Sequence, residues 1–493
     1  MTAQDQAAIT LGGERTQVEK PAASNGAVLA LVCLAQFMVV LDVSIVNVAL
    51  PAIGSDLHYS ATGLQWVVNG YVLTFAGFLL LGGRLADILG QRRVFLGGLA
   101  LFSLASLLGG LAQNSGELTA ARALQGLGGA VLSPATLTII TTTYTDGRER
   151  TRAIGIWSSV AGAGGAFGAL AGGVLTTYLS WRWVLFVNVP IGAAAGLGAI
   201  ALLRERRRDD ATRDLDVAGS VTGTAGLAVL VYGIVSTDTH PWGSVRTLVT
   251  LAIGVALLAA FLLIQARLAR SPLMPLSLFR SRALSGANAV MLLVGITFFA
   301  MWYFLSLYMQ EVLGFGPLRA GLLFLPTTAA IIVASQLSSR LVSRYGPRPV
   351  LVAGMAFVAA GFLWMSQLAA TSTYLNGVLG GAVLTTFGVG LSFTPLATAA
   401  TSGVPWQQAG LASGVLNTSR QVGGSIGLAA LATLATARTH ALATGGNSRA
   451  VALTSGYDRA FMVSAVVALV AGVVAAASIP KLVQPRPVAT SDK

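Results

Sequence analysis

The 493-residue chain is 54% hydrophobic and only 10% charged, with a mean hydropathy of +0.74. That composition excludes an ordinary water-soluble globule and points to a membrane protein. Its formal charge of +13 does not make it a nucleic-acid binder, because Lys and Arg sit in short clusters between apolar spans and form no amphipathic or aromatic-interleaved patch. A single cysteine, Cys33, excludes a disulfide framework and a CxxC metal site. The three histidines, His58, His240 and His440, are widely separated, and no metal or cofactor is expected.

Residues 1–26 are polar and carry three acids beside Arg15 and Lys20. A secretory leader would show a basic start, a short apolar core and a small-residue cleavage site, so this segment reads as a solvated cytoplasmic tail. Apolar runs then recur, each long enough for a hydrocarbon core of about 30 Å, which takes roughly 20 helical residues. They predict spans at 27–50, 64–83, 93–112, 118–141, 153–177 and 183–203. After the charged break "RERRRDDATRDLD" come 217–236, 246–266, 284–310, 319–339, 349–369, 373–397, 409–436 and 459–480. This is an all-α membrane protein of 14 transmembrane helices, whose even number puts both ends of the chain on one side. Twenty-three of the 31 basic residues fall in one set of loops and tails. Six, Arg182, Arg246, Arg319, Arg438, Arg449 and Arg459, fall in the other. The positive-inside rule therefore places both termini in the cytoplasm.

A faint internal repeat joins the two halves. "GRLADILGQRR" from Gly83 returns as "SRLVSRYGPRP" from Ser339, with Leu85, Gly90 and Arg92 matching Leu341, Gly346 and Arg348 and with Asp87 replaced by Ser343. Many transporters are built from such halves, with the binding site between them near the midplane. Chance likeness of two basic loops is the alternative. The expected division is a tail over 1–26, a six-helix bundle over 27–203, cytoplasmic linkers with two extra helices over 204–283, a second six-helix bundle over 284–480, and a tail over 481–493.

Against this apolar background a few residues stand out. Asp42 interrupts "VVLDVSIVNVALP" about 15 residues into the first helix, roughly 22 Å from its start. An acid inside a bilayer costs about 2.5 to 3.5 kcal/mol on insertion scales, so it needs a partner or a purpose. Arg122, about four residues into the fourth helix, lies at similar depth, and Gln125 shares its face. Arg420 is near the middle of the thirteenth helix with Asn417 on its face and Gln421 beside it; it needs an anionic or carbonyl partner, a wet cavity, or both. "FFAMWYFLSLYM", from Phe298, puts Trp302 and Tyr303 mid-helix, where they either line a cavity for flat ligands or form lipid-facing packing. Tyr71 and Phe75 present the same choice. Asp42 is the one carboxylate placed well inside the membrane, which favours neutral, anionic or monocationic substrates over dications. Glu311 is expected at the membrane interface.

Several stretches together resemble the 14-helix drug:proton antiporter branch of the major facilitator superfamily, the branch of the EmrB and QacA proteins. "LDVSIVNVALP" (41–51) resembles its first-helix signature, "GGRLADILGQRR" (82–93) the superfamily loop, "ARALQGLGGAVLSPA" (121–135) the fourth-helix signature, and "GVLNTSRQVGGSIGLA" (414–429) the penultimate helix pair. The fifth-helix antiporter motif normally holds Gly-Pro followed by Gly-Gly, and here "GALAGG" (168–173) has Ala169 in place of the proline. Gly164, Gly168 and Gly172 still share one face, with Gly173 beside them, which lets two helices approach closely. The kink, and with it the assignment as an exporter, is put in question.

The resemblance implies two pseudo-symmetric six-helix bundles plus two extra helices. It also implies that the first and fourth helices adjoin, so that Asp42 and Arg122 can pair. Asp42 is then the proton carrier and Arg122 the charge that competes for it; a permanently ionised pair that merely locks two helices is the alternative. Gln125, Tyr71, Trp302, Tyr303, Asn417, Arg420 and Gln421 are the expected substrate-cavity residues. Gly83, Arg84, Asp87, Gly90, Arg92 and Arg93 form the expected gate, unless those arginines serve topology alone. The implied function is proton-coupled efflux of lipophilic small molecules across the inner membrane by alternating access, with protons, the lipid bilayer and the small-molecule substrate as partners. A dedicated metabolite exporter or a proton-linked importer is the alternative. A polytopic enzyme would want converging His, Cys or carboxylates, a sensor a soluble signalling domain, and a pump driven by ATP a P-loop; none is seen in the sequence.

Overall fold

The computed structural model describes residues 24–144, 147–203, 216–238, 240–270, 272–402, 404 and 409–480. Among them the secondary structure is helical, as long apolar runs in a bilayer must be, because each backbone polar group there has to be satisfied within its own segment. The first half consists of α1 (Asn25–Asp56), α2 (Trp66–Leu89), α3 (Gln91–Leu111), α4 (Ser115–Thr143), α5 (Gly147–Tyr178), a short α6 (Trp183–Phe186) and α7 (Asn188–Leu202). Two further helices, α8 (Val217–Val235) and α9 (Val245–Leu263), follow. The second half holds α10 (Arg282–Leu307), α11 (Pro317–Leu323), α12 (Leu325–Tyr345), α13 (Pro347–Met365), α14 (Gly380–Thr401), α15 (Ala409–Thr444) and α16 (Arg449–Ser478). Thirteen helices or helix pairs are long and apolar enough to cross a membrane among the described residues. With the 32-residue α5 in its place between them, the order is that of the fourteen expected spans.

Two spans are broken, for the same reason. Proline cannot donate the backbone hydrogen bond that would continue a helix through the turn before it. Pro190 follows the interruption at Val187 between α6 and α7, and Pro326 that at Phe324 between α11 and α12. The first break sets Asn188 at the head of α7.

Packing repeats between the halves. In the first, α2 and α3 pack on α4, α1 on α5, and α7 on α1 and α3; in the second, α12 and α13 pack on α14, α10 on α15, and α16 on α10 and α13. The halves meet where α2 touches α15 and where α5 touches α11 and α12, two contacts exchanged by the same pseudo-twofold, and α1 also meets α10. The helix pair α8 and α9 packs together, with α8 laid along both α2 and α15. Even the corners repeat. Gly90 turns α2 into α3 at φ 96°, and Gly346 turns α12 into α13 at φ 82°. That left-handed backbone favours glycine, which is why Gly90 and Gly346 stand at matching places in the two loop sequences.

The two ends of the molecule are distinguished by their contacts. Tyr144 donates to the Asn25 carbonyl at the start of α1, and Arg282 at the start of α10 donates to the Ala477 carbonyl at the end of α16; this is the terminal end. At the opposite, distal end the halves close on each other. Ser306 Oγ donates to the Asn47 carbonyl at 2.7 Å, Gln310 Nε2 to the Val48 carbonyl at 3.0 Å, and the Leu318 N–H to Thr177 Oγ1 at 3.2 Å.

The helices overrun the expected spans by several residues, because polar turns beyond the apolar core continue the helix. One overrun matters. α16 starts at Arg449 rather than near 459, so Asp458 is inside a helix, partly buried, with Oδ1 unpartnered. Besides Asp42 on α1, Asp458 is thus a second acid placed well away from either end of a long helix.

Candidate functional site

The core of the first bundle holds a sealed polar cluster. Asp42 (0% exposed) lies on α1 and faces Arg122 (2% exposed) on α4, whose Nη1 donates to Asp42 Oδ2 at 2.6 Å. Gln125, one turn further along α4, donates to Asp42 Oδ1 at 2.6 Å and to Ser106 Oγ on α3 at 2.7 Å, and it accepts from Arg122 Nη1 at 2.6 Å. Asn188 Nδ2, at the head of α7, donates to Asp42 Oδ1 at 3.0 Å. Arg122 Nε is held by the Val67 carbonyl of α2 at 2.9 Å, and its guanidinium lies 4.6 Å from the centre of the Tyr71 ring. Five helices thus converge on one carboxylate. A buried charge is tolerable only with a partner and with its remaining lone pairs satisfied, and here three donors meet both carboxylate oxygens.

Two expected cavity residues belong to this cluster instead. Gln125 is fully buried with its amide committed to the ion pair, and Tyr71 is packed between Arg122, Phe75 and Phe102. Its hydroxyl is buried without a partner. Neither lies free to meet a ligand in this conformation.

In the second half, among the described residues, the polar candidates do not converge on a carboxylate. Arg420 sits a third of the way along α15, partly exposed, with Nη2 donating to Asn417 Oδ1 at 2.9 Å and the guanidinium 6.0 Å from the Phe393 ring of α14. Among the described residues no carboxylate pairs with it. Gln421 is buried with Oε1 unpartnered. On α10, Trp302 stacks on Phe324 at 4.7 Å with its indole Nε1 buried and unpartnered, whereas Tyr303 is core, edge-on to Phe304. Glu311, expected at the interface, pairs with Arg449 at 3.0 Å near the distal end.

Of the expected gate, Gly83 packs near Pro134, Gly90 makes the α2–α3 corner, and Arg92 Nη2 donates to the Ile200 carbonyl at the end of α7 at 3.1 Å. Arg84 and Arg93 lie at the same corner, both with interaction partners. The Asp87 side chain lies outside the described residues. The packing glycines are where the spacing put them. A methyl group on Gly168 would strike Ser44 Oγ and the Leu41 carbonyl, and one on Gly172 the Ile45 carbonyl at 2.7 Å, while Gly164 lies against Val40. All three seat α5 on α1, and Ser44 Oγ donates to the Gly164 carbonyl at 3.2 Å. Gly173 looks the other way, and a methyl group on it would lie 2.7 Å from the Pro317 carbonyl of the second half.

Sequence reasoning missed Asn188 and Ser106. A lone Ser in an apolar helix carries no signal, since its hydroxyl can be satisfied by its own helix, as Ser106 does toward the Phe102 carbonyl. Asn188 did carry one: an amide two residues before Pro190, inside an apolar span.

Two repeated helical bundles, the first with a buried ion pair in its core and the second with a partly exposed arginine, have the build of a secondary transporter. The Major Facilitator Superfamily profile matches residues 32–428, and the chain belongs to that family, in its branch of 14-helix drug:proton antiporters. It is 47% identical to a cephamycin export protein of Amycolatopsis lactamdurans over 86% of this chain and 87% of the relative. It is 41% identical to a puromycin resistance protein of Streptomyces alboniger (86% and 84%) and 36% identical to a multidrug resistance protein of Mycobacterium tuberculosis strain H37Rv (81% and 73%). Among solved structures, a peptide transporter in complex with sulfate matches with TM-score 0.67 at 15% identity (91% of this chain and 94% of that one). An inward-facing bacterial homolog of the lysosomal transporter Spinster matches with TM-score 0.64 at 17% (92% and 96%). At those identities the structures speak for the fold alone.

Proposed function

We propose that this chain exports antibiotic-like small molecules across the inner membrane in exchange for protons, with both termini in the cytoplasm. The export reading is supported by relatives named for export or resistance that align over most of both chains. The absent proline at Ala169 does not argue against it, because the glycines around that position keep α5 seated on α1 and on the second half.

The observation that carries the coupling is the sealed Asp42 cluster. As an anion, Asp42 draws Arg122, Gln125 and Asn188 onto itself and so ties α1 to α4 and α7. A proton taken up by the carboxylate removes the charge that Arg122 meets and weakens all three bonds at once. The helices are then free to adopt the alternative packing, and the proton leaves when the ion pair re-forms. Substrate occupies the space between the bundles, facing Arg420, Asn417 and the Trp302 ring. The α2–α3 corner, with Asp87 and its neighbouring arginines, acts as the gate at the terminal end, and the Asn47–Ser306 and Val48–Gln310 bonds close the distal end.

The test is flux of a neutral fluorescent dye into inverted membrane vesicles under an imposed pH gradient. The expected result is gradient-driven uptake by the wild type that collapses with a protonophore. Uptake indifferent to the gradient would overturn proton coupling, and no uptake of any dye or antibiotic offered would overturn export.

A further inference from the structure

Arg420 presents an unsolved electrostatic problem. A guanidinium has five N–H donors, and among the described residues this one spends a single donor, on Asn417 of its own helix. It stands eleven residues past Ala409, about 16 Å along α15 at 1.5 Å per residue, inside a stretch apolar enough to cross a membrane. Its backbone is wedged against α10, where a methyl group on Gly295 would strike the Arg420 carbonyl. α15 is flanked by α2, α8, α10, α14 and α16, and Arg420 itself is partly exposed between the α10 backbone at Gly295 and the Phe393 ring of α14.

Among the described residues, four other acids have partners of their own. Asp42 is saturated by three donors, Asp56 pairs with Arg182, Asp216 caps α8 and holds Gln265, and Glu311 pairs with Arg449. Asp458 is remote: the turn of α16 before it, at Gly456, packs on the Ala435 carbonyl, fifteen residues and about 22 Å along α15 from Arg420. A cation held permanently at mid-membrane without a counter-charge is costly. A cavity arginine left unpaired is the arrangement that admits an anion as cargo and disfavours a cation.

We propose that Arg420 is the anion-binding point of the substrate cavity and takes a carboxylate of the cargo, with Asn417 fixing one arm of the guanidinium and the Phe393 ring packing beside it. Among the described residues only Nη2 has a side-chain acceptor, and bidentate pairing of guanidinium with carboxylate is the strong form of such a contact. This deepens the export reading by naming its substrate class: aromatic or lipophilic molecules carrying one carboxylate. It also gives the second half a charge complementary to the proton site of the first, so that cargo and proton are held by different bundles.

Binding of naphthalene-2-carboxylate, anthracene-9-carboxylate and pyrene-1-butyrate to the purified full-length transporter, each against its primary amide, tests the assignment. The wild type is expected to bind acids more tightly than amides by roughly tenfold or more, the scale of a hydrogen bond to a charged group. Arg420→Gln should erase that preference, and Arg420→Lys should keep part of it. No acid preference across the panel in the wild type, whether from equal affinity or from no binding, overturns the proposal without needing any variant to fold. A preference that survives Arg420→Gln overturns it equally. The export reading is read separately, from gradient-driven flux of the neutral dye in wild-type vesicles, so loss of that flux with an intact acid preference would sink export and not the anion site.

Discussion

Asp42 shows how a single side chain can be both structural and exchangeable. Its carboxylate is enclosed by donors from α4 and α7, and truncating one partner of such a buried pair typically costs about 3–5 kcal/mol because the other charge is stranded. Asp42→Asn keeps the shape, retains an acceptor oxygen for Arg122, and removes the titratable group. The expectation is a folded protein that still binds substrate but has lost pH-gradient-driven flux; undiminished gradient-driven flux in that variant would remove Asp42 from the coupling role. Asn188→Ala is subtler. It removes one donor to Asp42 Oδ1, a bond worth about 1.5–3 kcal/mol to a charged group, and leaves the ion pair in place. A shift in the pH at which flux is half-maximal, with expression near wild type, is expected. An unchanged pH profile would make Asn188 a packing residue.

At the scale of elements, the glycines decide how closely helices approach. Gly321 of α11 lies over the Ala169 carbonyl of α5, and a methyl group there would collide with backbone, while Gly165 on the same α5 has nothing within 4 Å. Gly321→Ala should therefore push α5 and α11 apart, weaken distal closure and cut transport by about tenfold, an overpacking cost of roughly 1–3 kcal/mol. Gly165→Ala should be silent or slightly stabilising, since alanine is the better helix former by about 1 kcal/mol. Equal transport by the two variants would show that the approach of α5 to α11 is not used in the cycle. At the α2–α3 corner, Asp87→Asn is expected to slow turnover more than it weakens substrate binding, because the gate and not the cavity is altered; a large loss of affinity at unchanged turnover would count against that assignment.

For the whole molecule, the packing of the first half repeats in the second, and the halves meet along seams formed by α2 with α15 and α5 with α11. The distal end is closed in this conformation. Its orientation in the membrane is open to a direct test, because Cys33 is the only cysteine and is buried. In a Cys33→Ser background, Asn447→Cys on the exposed distal turn should react with an impermeant maleimide in intact cells. Ser24→Cys at the terminal end should react only after permeabilisation. The reverse pattern would invert the topology and make the distal closure cytoplasmic.

Much of this architecture is legible in the linear chain, and for local reasons. Bilayer thickness sets span length, so the order of the apolar runs needs no partner to be read. Glycine at a left-handed corner, as at Gly90 and Gly346, and glycine at four-residue spacing, as at Gly164, Gly168 and Gly172, likewise report conformational demands that belong to one segment. Asp42 and Arg122 announce themselves because charge in an apolar helix is costly wherever it lies. What only the tertiary structure decided was assignment between neighbours. Gln125 and Tyr71 could equally have faced a cavity, and it is the convergence of α1, α2, α3, α4 and α7 that turns them onto the ion pair and recruits Ser106 and Asn188. Arg420 was expected to line the cavity with an anionic or carbonyl partner, water, or both, and the structure gives it Asn417 and no acid within reach among the described residues, which sets it apart from Arg122. Helical periodicity fixes which face of its own helix a side chain occupies; which helix that face meets is a property of the packed bundle, and the chemistry of both sites follows from it.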